Sequence, residues 1–204
     1  MKLLLPLTFF VLISLQLFAQ PKNKPFELAQ DAPSIEVKDQ NGNEIVLEHI
    51  LKESKVLLVF YRGSWCGYCT KHLSMLQKNL EEISKSGTRV LVVTPEKPEF
   101  IKDMVEQTEA KFSVINDVEG QIMKDYNVGF QLNEENLPKF YKLTVSNALD
   151  YNSKANTETL PIPATFIINQ EGTFDYIQFD ADYSKRSSMD EIFKHLKTKK
   201  IGKD

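Results

Sequence analysis

The sequence predicts an α/β fold in which helices flank a central mixed sheet, and three observations carry that reading. Val56–Tyr61 and Val90–Val93 are apolar throughout and partly β-branched, as strands buried on both faces of a sheet are. The stretch after each repeats its apolar residues at helical spacing. Thr165–Ile168 and Thr173–Phe179 flank Gln170-Glu171-Gly172, which reads as an antiparallel hairpin added to the parallel strands. At 204 residues, with 42% hydrophobic and 26% charged side chains, the chain has the size and composition of one globular domain.

The elements follow in order. Met1-Lys2, an apolar run from Leu3 to Phe18 and then Ala19-Gln20-Pro21 read as a signal peptide over residues 1–20. The run is shorter than the ~20 residues that usually cross a bilayer. An uncleaved membrane anchor is the other reading. Cleavage removes one lysine and no acid, taking the formal charge from −3 to −4. A periplasmic or secreted protein without stable membrane insertion is expected. Residues 21–32 form a polar, proline-punctuated lead-in, and residues 33–200 the folded domain.

Ser34–Val37 and Ile45–Leu47 flank the turn signal Asp39-Gln40-Asn41-Gly42-Asn43, predicting an N-terminal hairpin. After the first buried strand comes a helix with Leu73, Leu76, Leu80 and Ile83 on one face, ended by Gly87. Pro98 starts the next helix, with Phe100, Ile101, Met104 and Val105 inward. Phe112–Ile115 is a short strand, and Asp117 caps a helix holding Ile122, Met123 and Tyr126 that ends near Gly129. Residues 130–160 show no clear strand and read as an insertion with one short helix over Leu137–Leu143. Met189–Lys199 closes the chain as an amphipathic helix with Ile192, Phe193 and Leu196 inward.

Composition narrows function. With 25 basic against 28 acidic side chains, no basic excess exists to hold a nucleic acid. The only cysteines are Cys66 and Cys69, too few for a disulfide scaffold or a four-cysteine metal site. They sit where a buried strand gives way to a helix. Free backbone N–H groups and the positive end of the helix dipole favour a thiolate there. At least one of the pair is therefore expected to have a lowered pKa, and the end of the strand to expose it.

Two other uses of the pair fit less well than redox chemistry. A zinc site would need ligands beyond Cys66, Cys69 and His72, and none has the right spacing. A structural disulfide across so short a loop constrains little chain entropy. Pro163, just before a buried strand, suits a tight turn. Arg62 can hold an anionic sulfur or oxygen, or can be a surface charge. Tyr68 can tune or cover the pair, and His72 can exchange protons or lie exposed. Tyr183 to Arg186 has no assignable role.

FYRGSWCGYC at 60–69, VVTPE at 92–96 and LPIPATFII at 160–168 resemble the thioredoxin-fold superfamily. Within it they are most similar to peroxiredoxin-like members of the alkyl hydroperoxide reductase and thiol-specific antioxidant (AhpC/TSA) group. The resemblance covers about residues 30–198. It implies a thioredoxin-like fold with Pro163 cis and packed against a Cys66–Cys69 disulfide, with Arg62, Trp65 and Thr165 as further orienting residues. No cofactor is implied. Matched to a thioredoxin, Cys66 attacks and Cys69 resolves. Matched to a peroxiredoxin, Cys69 is peroxidatic and Cys66 replaces a threonine. Gly67 stands where close relatives carry proline, Arg62 where peroxiredoxins carry proline, Thr165 near their expected arginine, and Phe60 at the buried acid of thioredoxins.

The expected activity is thiol-dependent peroxide reduction, thiol–disulfide exchange, or both, with peroxide or a protein disulfide as substrate and a thiol electron donor. Cys66 is expected to attack disulfides and Cys69 peroxide. The alternative is a thioredoxin-scaffold binding protein or soft-metal carrier holding Cu(I) between the two sulfurs.

Overall fold

The computed structural model describes residues 26–132, 148, 150–156 and 158–197. The expected signal at 1–20 and the helix at 137–143 lie outside them. β1 (Glu36–Lys38) and β2 (Glu44–Val46) form the expected hairpin, and α1 (Leu47–Leu51) follows without a break. β3 (Lys55–Phe60) leads to α2 (Gly67–Lys78), α3 (Leu80–Lys85), β4 (Thr88–Thr94), α4 (Pro98–Thr108), β5 (Ser113–Asn116) and α5 (Gln121–Asp125). β6 (Gly129–Gln131) and β7 (Thr159–Pro161) pair with each other, before β8 (Ala164–Ile168), β9 (Phe174–Phe179) and α6 (Met189–Leu196).

The central sheet has the order β5-β4-β3-β8-β9. β3, β4 and β5 run parallel, and β8 and β9 are antiparallel to their neighbours. Side chains of β3 alternate between two cores, as the period of a strand requires. Val56, Leu58 and Phe60 enter a core with Ile45, Met123, Tyr126, Phe166 and Phe174. Leu57, Val59 and Tyr61 enter the opposite core with Leu73, Leu76, Ile101, Ile192 and both cysteines.

Several local expectations change. The single helix after the cysteines is broken at Asn79, whose side-chain amide donates to the Met75 carbonyl at 2.8 Å and whose φ of −107° leaves the helical range. Asp117 does bond the start of α5, accepting from Ile122 and Met123 N–H at 3.2 and 2.8 Å, although Gly120 occupies the cap position. The stretch after residue 128 does contain a strand, since β6 pairs with β7. Three-residue strands carry too little alternation to be read from sequence.

The Ile162–Pro163 peptide is trans, against the cis bond that the resemblance implies. Nor does the chain make a tight turn there. Thr159–Pro161 is held against β6, and Ile162 donates its N–H to the Val128 carbonyl at 2.7 Å. The backbone thus passes extended from β7 towards β8.

Candidate functional site

Cys66 is the N-cap residue of α2, and its carbonyl accepts from the Cys69 and Thr70 N–H groups at 2.8 and 3.1 Å. This first turn brings the two sulfurs 2.7 Å apart, in hydrogen-bonding contact as free thiols. Neither is open to solvent: Cys66 is 5% and Cys69 1% exposed. The expected exposure at the strand end is absent because other elements cover the pair.

The turn between β3 and α2 is gathered around Glu96, which lies just past β4 and is 0% exposed. Its carboxylate accepts from Ser64 N–H at 2.7 Å, Ser64 Oγ at 2.8 Å and Tyr61 Oη at 3.1 Å. Gly63 makes room here, since a Cβ on it would collide with the Trp65 indole. Trp65 packs towards Leu132, Ala148 and Leu160, tying this turn to the β6–β7 region.

Arg62 is a buried residue, 1% exposed, and not a surface charge. Its guanidinium lies 4.8 Å from the Trp65 ring and 4.4 Å from the Tyr183 ring. Tyr183 also meets Tyr68 edge-on at 5.8 Å, and Tyr68 keeps 52% of its surface exposed. Three residues after Tyr183, Arg186 places Nη2 3.2 Å from Cys69 Sγ. Its other amino group donates to the Tyr183 and Lys185 carbonyls, so the segment between β9 and α6 pre-shapes the guanidinium. Tyr176 Oη donates to Ser187 Oγ at 3.0 Å and anchors the same segment to β9.

These neighbours make the two sulfurs unlike. Burial raises the Cys69 thiol, but its hydrogen bond to Cys66, the Arg186 charge, the Arg62 backbone N–H and the Arg62 charge outweigh that and bring it from 9.0 down to about 6. Cys66 moves the other way, raised by its hydrogen bond to Cys69, by burial and by the charge on Cys69. His72 is buried rather than exposed. Burial and then the Arg186 charge lower it to about 4, so it is neutral at pH 7.

Thr165 is fully buried opposite Val59, on the sheet face that carries the cysteines, and its hydroxyl has no hydrogen-bond partner among the described residues. The same register carried past Ala164 sets Pro163 opposite Tyr61, at the site end of β3. Among the described residues no group of three His, Cys, Asp or Glu side chains gathers to hold a metal ion. Sequence reasoning missed Glu96, Tyr61, Ser64 and Arg186. The VVTPE stretch at 92–96 and the unassigned 183–186 stretch were the only signals, and neither names a role.

The AhpC/TSA sequence profile matches residues 28–177. The chain belongs to the AhpC/TSA family. Among curated relatives it is 27% identical over 104 residues to peroxiredoxin Bcp of Escherichia coli K12, covering 51% of this chain and 66% of that one. It is 29% identical over 108 residues to the thiol-disulfide oxidoreductase ResA of Bacillus thuringiensis, covering 52% and 61%. The matched part is thus just under two thirds of each relative's length. Among solved structures, peroxidoxin BcpB of Mycobacterium tuberculosis superposes with a TM-score of 0.63 at 16% identity, covering 83% of this chain and 93% of that one. A peroxiredoxin-like protein from Aquifex aeolicus gives 0.62 at 17%, covering 85% and 88%. The central mixed sheet flanked by helices is therefore the thioredoxin fold of the peroxiredoxins. Among the described residues no helix is long and apolar enough to cross a membrane.

Proposed function

We propose that this AhpC/TSA member is a thiol-dependent oxidoreductase that reduces small hydroperoxides, with Cys69 as the attacking thiolate and Cys66 as the resolving thiol. One observation carries the reading: Cys69 Sγ faces the Arg186 guanidinium at 3.2 Å on one side and Cys66 Sγ at 2.7 Å on the other. A cation stabilises the anionic sulfur, and the protonated partner donates to it. This reverses the thioredoxin-type assignment for Cys66, whose thiol is raised.

In the first step the Cys69 thiolate attacks the terminal oxygen of a hydroperoxide. The S–O bond forms as the O–O bond breaks, the sulfur loses two electrons, and the departing alkoxide takes a proton from solvent. Cys66 then attacks the sulfenic acid. Its proton leaves with the hydroxyl as water and the S–S bond closes. An external thiol donor returns two electrons and two protons. Arg62, held between Trp65 and Tyr183, adds positive charge beside the reacting oxygens, while Pro163 and Thr165 line the sheet face behind them.

A second reading, thiol–disulfide exchange with a protein, draws support from the ResA relative and from the CxxC spacing at the start of a 12-residue helix. The near-complete burial of both sulfurs favours a small oxidant first. The apolar run at residues 3–18 supports export to the periplasm or beyond, to be checked by sequencing the mature N-terminus.

The deciding experiment treats Cys66→Ser and Cys69→Ser with limiting hydrogen peroxide and locates sulfenic acid by mass spectrometry. The proposal expects it on Cys69 in the first variant and almost none in the second. Sulfenic acid on Cys66 alone would reverse the roles. No oxidation of either faster than free cysteine would leave the binding-scaffold alternative, which Cu(I) titration of the reduced protein then tests.

A further inference from the structure

Glu96 presents a buried carboxylate with only neutral donors around it. Ser64 supplies its N–H and its hydroxyl, Tyr61 its phenol, and no lysine, arginine or histidine pairs with Glu96 among the described residues. A buried charge without a counter-ion is costly, so such a group persists where its hydrogen bonds and its field have a use. All its donors lie in the four residues Tyr61–Ser64 that join β3 to the Trp65-Cys66 start of α2. The Glu96 backbone also bridges to Asn152, which holds the main chain at this position.

We infer that Glu96 is a positioning residue of the dithiol, holding the Tyr61–Ser64 turn so that Cys66 caps α2 and setting one negative charge on Tyr61, whose ring shares the buried core of Cys66 and Cys69, in opposition to Arg62 and Arg186. The inference rests on Cys66 and Cys69 being the reactive centre and adds to it a determinant of how readily the thiolate forms. The charged groups about Cys69 are then Arg62 and Arg186 on the positive side and Glu96 on the negative, with the titratable Cys66 and Tyr61 in the same buried core and neutral His72 one turn along α2. Burial raises the Glu96 carboxyl, and the charge on Cys69 adds to that rise, so the two acids oppose each other's ionisation. Among the candidate residues read from the sequence, none supplies this negative charge.

The test uses the reduced full-length protein and alkylation by iodoacetamide, which reads thiolate without any oxidant. Glu96→Gln keeps a side chain able to accept from Ser64 and removes the charge. The pH midpoint of Cys69 alkylation is expected to fall by on the order of half a unit or more, with Ser64 and Trp65 amide exchange unchanged. Glu96→Ala is expected to lower the midpoint similarly and to speed amide exchange at Gly63–Trp65. An unchanged midpoint in Glu96→Gln would reduce Glu96 to a structural anchor and overturn the inference. Should neither variant fold, carbon-13 NMR of glutamate carboxyls in the unaltered protein decides. The Glu96 signal must shift through the pH range where Cys69 titrates, and a signal flat across that range overturns the inference. Peroxide turnover is measured separately, so its failure would count against the proposed activity and leave this result standing.

Discussion

The turn leading into Cys66 and the segment lying over Cys69 come to the same two sulfurs from distant parts of the chain. Tyr61–Ser64 folds about a buried carboxylate, a short loop between two long elements. Asp180–Ser188 arrives from the far end of the chain and delivers the Arg186 guanidinium, held by carbonyls of its own loop. The first region is anchored in the protein's interior. The second meets the body through Tyr183 on Arg62 and Tyr68, Arg186 on Cys69, and Ser187 on Tyr176. Two cysteines in one helical turn thus become chemically distinct through their neighbours. Their spacing alone makes them a pair, not a nucleophile and a partner.

The largest effect should come from breaking the covering segment at its charge. Arg186→Met removes a charge-assisted hydrogen bond worth about 1.5–3 kcal/mol. Attack on hydrogen peroxide at pH 7 should slow by roughly one to two powers of ten. The pH profile supplies the sign. Cys69 is brought down to about 6, so wild-type attack should be near its plateau at pH 7 and decline as pH falls through about 6. In Arg186→Met that decline should move to higher pH. Stopped-flow oxidation of each chain in the Cys66→Ser background measures both, and an unshifted profile would separate Arg186 from the thiolate.

The same contrast marks what could be read in the sequence. Val56–Tyr61 is apolar without interruption and became β3 in the sheet centre, because a strand covered on both faces needs no polar residue. Pro98 began α4 and Gly172, with φ of 83°, turned the last hairpin, since both act through their own backbone. The cysteine pair at a strand–helix junction was equally local. Arg186 was not, lying 117 residues from Cys69 in a polar stretch like any surface loop. Glu96 and Ser64 are 32 residues apart, and a glutamate beside Pro95 gives no sign of burial. The extended run into Pro163 follows β7, whose pairing with β6 joins two three-residue strands too short to be read from alternation.

A second expected effect concerns His72, buried in α2 one turn beyond Cys69. It is lowered to about 4 from 6.5 by burial first and by Arg186 second. Above pH 6.5 it is neutral folded and unfolded, so its contribution to stability is complete there. As pH falls from 6.5 to 4 the unfolded chain takes up the proton and the folded chain does not, so that contribution is lost. The loss should reach roughly 2–3 kcal/mol across that window. His72→Gln should flatten this part of the pH dependence, leaving the fall due to carboxylates. Urea unfolding of both chains at pH 7, 5.5 and 4.5 measures the difference, and parallel curves would show that His72 is solvated in the folded protein.

The smallest effect separates cover from charge. The Tyr183 ring stacks on Arg62 at 4.4 Å and meets Tyr68 at 5.8 Å. A partly desolvated cation–π contact is worth about 0.5–2 kcal/mol. Tyr183→Leu keeps apolar cover and removes that attraction, so the segment should loosen while Arg186 still reaches Cys69. Peroxide attack is then expected to slow only severalfold, without movement of the pH profile. Trypsin should cut the reduced protein after Lys185 or Arg186 faster than in wild type, because a loosened loop opens locally more often. Access for a bulky disulfide should improve at the same time. If steric cover limits exchange with large partners, Tyr183→Leu will react faster with a protein disulfide and slower with peroxide. Equal slowing towards both oxidants would mean that Tyr183 acts through Arg62, and that the segment supplies charge alone.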